Sequence, residues 1–195
     1  MANIVYPTEL SLDGPWLIDS NQLLALDGLL QEYAPKMRAQ VHQQLEEKAE
    51  RDNARREHTP THAQVEKEII FLKQIYAKER QLVTLYLGGA RSVTAETFSE
   101  AFKVPGMTGE TVQGFWSNLE VGNMSVSISL RRGWNKKLTV EVKPKEQTLS
   151  HEIFTSLENW LYVFAPTRIK QLWVSSKGFF PSFFFGGSFL DFHIF

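Results

Sequence analysis

Cysteine is absent from this 195-residue chain. That excludes disulfide cross-links, thiolate nucleophiles and Cys-ligated zinc or iron–sulfur centres, and it fits a reducing compartment. Net charge is nearly absent as well: 21 basic residues stand against 22 acidic ones, a formal charge of −1. No global field draws the chain to nucleic acid or to an anionic surface, so any such binding has to come from a local patch. The opening MANIVYPTELSLDGPW lacks a basic segment followed by an apolar run, so no secretory signal is expected. No repeat recurs at a solenoid period. Large apolar side chains are missing from residues 46–64, whereas residues 179–195 hold eight of the 14 phenylalanines.

What is present supports a folded core, since 43% of the residues are apolar. Asp19 followed by Gln22 reads as a capping box, with Ile18 and Leu23 placed for a hydrophobic staple. Leu23, Leu26, Leu30, Tyr33 and Met37 then recur at three- and four-residue steps, which predicts one buried helical face. Pro35 falls inside this pattern and predicts a kink or break near Ala34. Val41 and Leu45 extend the stripe before it stops. Glu47 with Arg51, and Asp52 with Arg56, have the spacing of exposed helical ion pairs. From about Glu46 the helix is expected to stand in solvent.

His58-Thr59-Pro60-Thr61 predicts the turn, with either Thr61 and Gln64 as a second capping box or Thr59 as cap and Pro60 at the first helical position. Val65, Ile69, Leu72 and Tyr76 form the stripe of a returning helix. Residues 36–80 therefore read as a projecting antiparallel αα-hairpin. Leu82–Leu87 predicts a strand ended by Gly88-Gly89. Thr94 is placed to cap a short helix carrying Phe98, Ala101 and Phe102, stopped by Val104-Pro105-Gly106. Met124, Val126, Ile128 and Leu130 alternate with three serines, and Leu138, Val140 and Val142 alternate with Thr139, Glu141 and Lys143. Both runs predict strands with one buried face. Ile153, Phe154, Leu157, Trp160, Leu161 and Phe164 give the last helix a wide apolar face, ended by Pro166. The fold class expected is α+β: an N-terminal helix and long hairpin, then a β-α-β-β-α unit, most simply a three-stranded sheet with two helices on one face. Residues 1–178 form one domain in this reading, and 179–195 a separate Phe-rich tail.

Chemistry-bearing motifs are sparse. His58 and His62 lie four apart, but Pro60 separates them and the HExxH glutamate is missing, so no metal is expected. Gly88-Gly89 lacks the third glycine of GxGxxG and the Gly-Lys-Ser/Thr of a P-loop, so it reads as a strand-ending turn with Arg91 an exposed charge. His42, His151 and His193 sit in no catalytic motif, and no paired acids stand at a suggestive spacing. No cofactor is expected, and the chain reads as non-enzymatic. Arg131, Arg132, Trp134, Lys136 and Lys137 form a basic, aromatic hairpin tip that reads first as a solvated turn; the functional readings are contact with lipid, which is preferred, or with nucleic acid. Phe179, Phe180, Phe183, Phe184 and Phe185 follow the basic residues Arg168, Lys170 and Lys177, as when a cytosolic domain meets a membrane. Pro181, Gly186, Gly187 and Asp191 make the run a poor span in itself. Three readings fit it: the start of a membrane segment, an altered reading frame, or an edge strand folded back. The first is preferred.

The expectation is thus a non-enzymatic, membrane-associated domain on the cytoplasmic side, working through a protein partner held by the hairpin. The alternative is a nucleic-acid-binding module using residues 131–137.

Overall fold

The computed structural model describes residues 8–13, 16, 18–55, 61–107, 109–131, 137–144 and 148–164, except for the side chain of Phe164. Strands β1 (Glu9–Asp13), β2 (Glu79–Leu87), β3 (Ser92–Ala95), β4 (Val112–Val121), β5 (Met124–Leu130) and β6 (Lys137–Lys143) join helices α1 (Ser20–Ala54), α2 (His62–Tyr76), α3 (Phe98–Lys103) and α4 (Thr148–Phe164). The α+β class is as expected. The strands form one antiparallel sheet in the order β1-β6-β5-β4-β2-β3.

Register explains the core. Leu12, Leu138, Leu130, Phe115, Leu85 and Val93 face one another along one cross-strand row, and Leu10, Val140, Ile128, Ser117, Val83 and Ala95 along another. These rows belong to one face of the pleat, because side chains alternate at period two. On β5 the alternation is complete: Met124, Val126, Ile128 and Leu130 are buried and the three serines between them are half-buried. The opposite face carries Ser11, Thr139, Ser129, Trp116, Thr84 and Thr94 in register. Hydroxyl pairs cross it, with Ser129 Oγ 2.6 Å from Thr139 Oγ1 and Thr84 Oγ1 3.1 Å from Thr94 Oγ1.

Helix α1 covers the apolar face. Its capping box forms as expected: Gln22 N–H donates to Asp19 Oδ1 at 2.9 Å, and Asp19 N–H donates to Gln22 Oε1 at 2.8 Å. Leu23, Leu26, Leu30, Tyr33, Met37 and Val41 are all buried. Helix α4 runs antiparallel beside it and buries Ile153, Phe154, Leu157, Trp160 and Leu161. Tyr33 Oη and Ser156 Oγ lie 2.6 Å apart, Lys36 donates to Glu152 at 3.0 Å, and Trp160 Nε1 donates to the Gln22 carbonyl at 3.3 Å.

The expected three-stranded sheet is corrected to six strands. β1 and β3 are short, offering two half-buried apolar residues each. β4 hides its alternation, because Ser117 occupies a core position between Phe115 and Leu119 while Trp116 points to the other face. The expected break at Ala34 is also corrected: α1 passes through Pro35 without interruption. Pro35 and Gln31 are both exposed. The Gln31 carbonyl that loses its helical donor therefore faces water, which can replace it. Thr94 does not cap a helix. It lies in β3, and Thr97 takes that role, its Oγ1 accepting from Glu100 N–H at 3.1 Å.

Asp27 is a carboxylate buried on the inner side of α1. It accepts from Ser99 N–H at 2.9 Å and from Gln81 Nε2 at 3.2 Å. One side chain of α1 thereby fastens the first turn of α3 and the half-buried Gln81 of β2. Burial nevertheless dominates its titration and holds the carboxyl above its ordinary value of 3.8, against the lowering effect of these hydrogen bonds.

Two outcomes follow from this packing. Replacing Ile128 by alanine should cost about 2–5 kcal/mol in urea unfolding, as for other large-to-small core changes, whereas Ser127→Ala should stay within about 0.5 kcal/mol. Equal losses would show that β5 is packed on both faces. For Asp27, the raised value means that the folded chain holds the proton more tightly than the unfolded chain. Its favourable contribution is whole below 3.8 and is lost as pH rises through the folded value. Asp27→Asn keeps an acceptor for Ser99, and the Gln81 amide can turn to accept from the new donor. The stability of this variant relative to wild type should therefore rise as pH climbs above 3.8, until the folded carboxyl has lost its proton, read by urea titrations at successive pH values. A difference that does not change with pH would show that Asp27 is not perturbed.

Candidate functional site

The helical hairpin forms, and its geometry departs from the expectation in an informative way. Helices α1 and α2 pack antiparallel, so that Glu46 meets Lys73 in the last turn of α2 and Arg38 pairs with Glu79 at the base. The Lys73 ammonium, hydrogen-bonded to Glu46, holds that carboxyl below its ordinary range. Thr61 N–H donates to Gln64 Oε1 at 2.9 Å at the start of α2. On α1, Ala49 continues the stripe of Val41 and Leu45 and is buried, so the rod is not bare beyond Glu46. Arg51 Nε donates to the Glu47 carbonyl oxygen rather than to its carboxylate.

Helix α2 differs from α1, α3 and α4, for none of its residues is buried. The inner stripe of Val65, Ile69 and Leu72 is half-buried. Tyr76, expected on that stripe, is 57% exposed, and Ile70, Phe71 and Ile75 are 49%, 59% and 44% exposed. The reason lies in the sequence of the helix. HAQVEKEIIFLKQIY carries apolar residues on more of its circumference than one neighbouring helix can cover. Among the described residues α1 is the element packed against it, and it takes one side while Ile70, Phe71 and Ile75 stay outside as a ridge.

The hairpin is held against the sheet at a close approach. The β4–β5 turn places Gly122 at φ +60, where a Cβ would lie 2.7 Å from the Tyr76 carbonyl oxygen and 2.8 Å from Val41 Cγ1. Gly122 N–H donates to the Lys78 carbonyl at 3.4 Å, and Asn123 Nδ2 donates to Gln44 Oε1 at 3.1 Å. Beside this contact opens a cleft of about 630 Å³. Val41, Leu45, Leu72, Ile75 and Tyr76 supply its apolar lining, and Lys48, Lys78, Arg80 and Glu120 its charges. Ile75 belongs to both the cleft and the exposed ridge, which makes the two one continuous surface.

The sites singled out from sequence are only partly described. Arg131 and Lys137 are exposed where β5 ends and β6 begins, joined by a backbone hydrogen bond from Arg131 N–H to the Lys137 carbonyl at 3.0 Å. Asp13 is the register partner of Lys137. Arg132, Trp134 and Lys136 lie outside the described residues, as do His58, the phenylalanines at 179, 180, 183, 184 and 185, and the expected boundary at 178. His62 is exposed at the first residue of α2, and among the described residues no group of three or more His, Asp or Glu side chains could hold a metal. Gly88–Ala90 forms one turn of 3-10 helix after β2, with Gly89 at φ +66. Arg91 is not a free charge: its guanidinium contacts Glu110 at 2.7 Å. His151, expected at the surface, is half-buried on α4. No helix among the described residues is long and apolar enough to cross a membrane. No protein-family model matches the chain, nor does any curated protein or solved structure.

Sequence reasoning missed the exposed ridge. The signal was there in Ile69-Ile70-Phe71 and Ile75-Tyr76, consecutive apolar residues that no single helical stripe can contain. The surface can be tested for its lack of structural cost. Phe71→Ser should leave stability within about 0.5 kcal/mol of wild type, as for a side chain with no core contact. Gly122→Ala should lower it by roughly 1–3 kcal/mol, through left-handed strain and collision with Val41. Thermal melts of both variants check this, and a Phe71→Ser loss as large as that of Gly122→Ala would place Phe71 in the core instead.

Proposed function

We propose that this chain is a non-enzymatic domain that acts through protein contacts made by its helical hairpin, and that it is membrane-associated through the Phe-rich segment 179–195. The observation that carries the first part is the unburied face of α2. Soluble domains rarely leave several large apolar side chains contiguous and exposed unless something docks there. Burying Phe71 and Ile75 in a partner would contribute about 1.5–3 kcal/mol each, enough to anchor an interface around them. The rest of the fold supports the same reading. A six-stranded sheet backed by α1 and α4 gives the hairpin a stiff base, and the Gly122 contact fixes where it emerges. The membrane part rests on composition: basic residues precede the phenylalanines. The nucleic-acid alternative has less behind it, because Asp13 sits opposite Lys137 in the sheet and offsets part of the basic patch.

The test is site-specific photo-crosslinking of the full chain in its own cells, with the reactive residue at 71 or 75 and, as controls, at the exposed position 96 or at 127 on the other sheet face. Discrete protein adducts are expected from 71 and 75 and not from the controls. Adducts from 127 alone would move the interface to the sheet, and adducts to lipid from 71 would replace the protein partner with a membrane.

A further inference from the structure

The signs of the charges that line the cleft identify what it is suited to hold. Two cations near it are already engaged, Lys73 with Glu46 and Arg38 with Glu79. Lys48 on α1, Lys78 in the turn before β2 and Arg80 on β2 line the cleft as three cations. Among the described residues none of the three takes part in an ion pair. Glu120 is the one carboxylate in the lining. It lies opposite Arg80 in the strand register and accepts from Asn118 Nδ2 at 2.6 Å. The rim therefore keeps a positive excess over a floor made by Val41, Leu45, Leu72, Ile75 and Tyr76.

We infer that this cleft binds an acidic peptide segment of a partner protein, one that carries bulky apolar side chains next to carboxylates. The inference rests on the docking role proposed above and names its ligand class. Apolar anchors would enter between α1 and α2 while carboxylates meet Lys48, Lys78 and Arg80, the arrangement by which grooves on helical surfaces read amphipathic segments. A second copy of this chain is a poor occupant. In a two-fold contact the same patch meets itself, so the cationic rim would face its own image and be repelled. Nucleic acid suits the site less, because the floor is aliphatic and offers Tyr76 as the one ring on which a base could stack.

Selection of a random 16-residue peptide display library on the immobilised full chain tests this, followed by fluorescence anisotropy on the recovered peptides. The expected peptides carry Asp or Glu flanking Leu, Ile or aromatic residues. Their affinity should fall with added salt and drop about tenfold when Lys48 or Lys78 is replaced by glutamate, since rim charges act through steering and complementarity. Ile75→Asp should abolish binding. Circular dichroism melts verify that each variant is folded, and Lys48→Gln with Lys78→Gln stand in where a reversal perturbs the fold. Recovery of basic or neutral peptides that depend on Ile75 but ignore Lys48 and Lys78 would overturn the acidic ligand and leave the docking role standing. Recovery of no peptide, or only of peptides indifferent to Ile75→Asp, would overturn both.

Discussion

The molecule depends on the burial of one helical stripe. From Leu23 to Val41 the inner side of α1 lies on the apolar face of the sheet, and α3 and α4 take their places beside that contact. α4 aligns against α1 through Tyr33, Lys36 and the Gln22 carbonyl. α3 is fastened to it by Asp27, a carboxylate that burial would expel were Ser99 and Gln81 not there to donate. Ser117, the one polar residue in its cross-strand row, is fully buried with its hydroxyl unpaired among the described residues. Its small side chain fits a row that is otherwise aliphatic.

Because α1 is a single 35-residue helix, the same element that organises the core also carries the hairpin. The residues up to Val41 are committed to the sheet. Those beyond it present a narrower stripe, Leu45 and Ala49, and that stripe has α2 as its neighbour. α2 in turn has more apolar surface than this neighbour can cover. The exposure of Ile70, Phe71 and Ile75 follows from that mismatch in surface, whereas Tyr76 keeps its place on the inner stripe and is exposed at the cleft. Gly122 completes the arrangement, since the absence of a side chain there brings the sheet end against Val41 and the Tyr76 carbonyl and shapes the cleft between them.

Much of this was legible residue by residue. The Asp19 and Gln22 cap, the leucine stripe, the serine alternation of β5 and the wide face of α4 each rest on interactions within a few residues of sequence, and each is found in place. β1, β3 and β4 were not legible. Two are too short to show a period, and the third places a serine where the period demands an apolar residue, which is tolerable only in the middle of a formed sheet. Pro35 misled for a related reason. Its local cost is real, but whether it breaks the helix depends on which side of α1 faces water.

By itself, then, the sequence determined the class of the fold, the two faces of β5 and β6, the existence of the hairpin and the absence of cysteine chemistry, because these follow from periodicity, capping and composition. Tertiary structure alone decided the six-stranded order, the burial of Asp27, the place where Gly122 meets Val41, and which cations are left unpaired. Those are relations between segments tens of residues apart, set by how much surface each element has and how much its neighbours can cover. The candidate site belongs to this second kind. Lys48, Lys78 and Arg80 are unremarkable charges along the chain, and they become one rim over an apolar floor when α1, α2 and the end of the sheet converge.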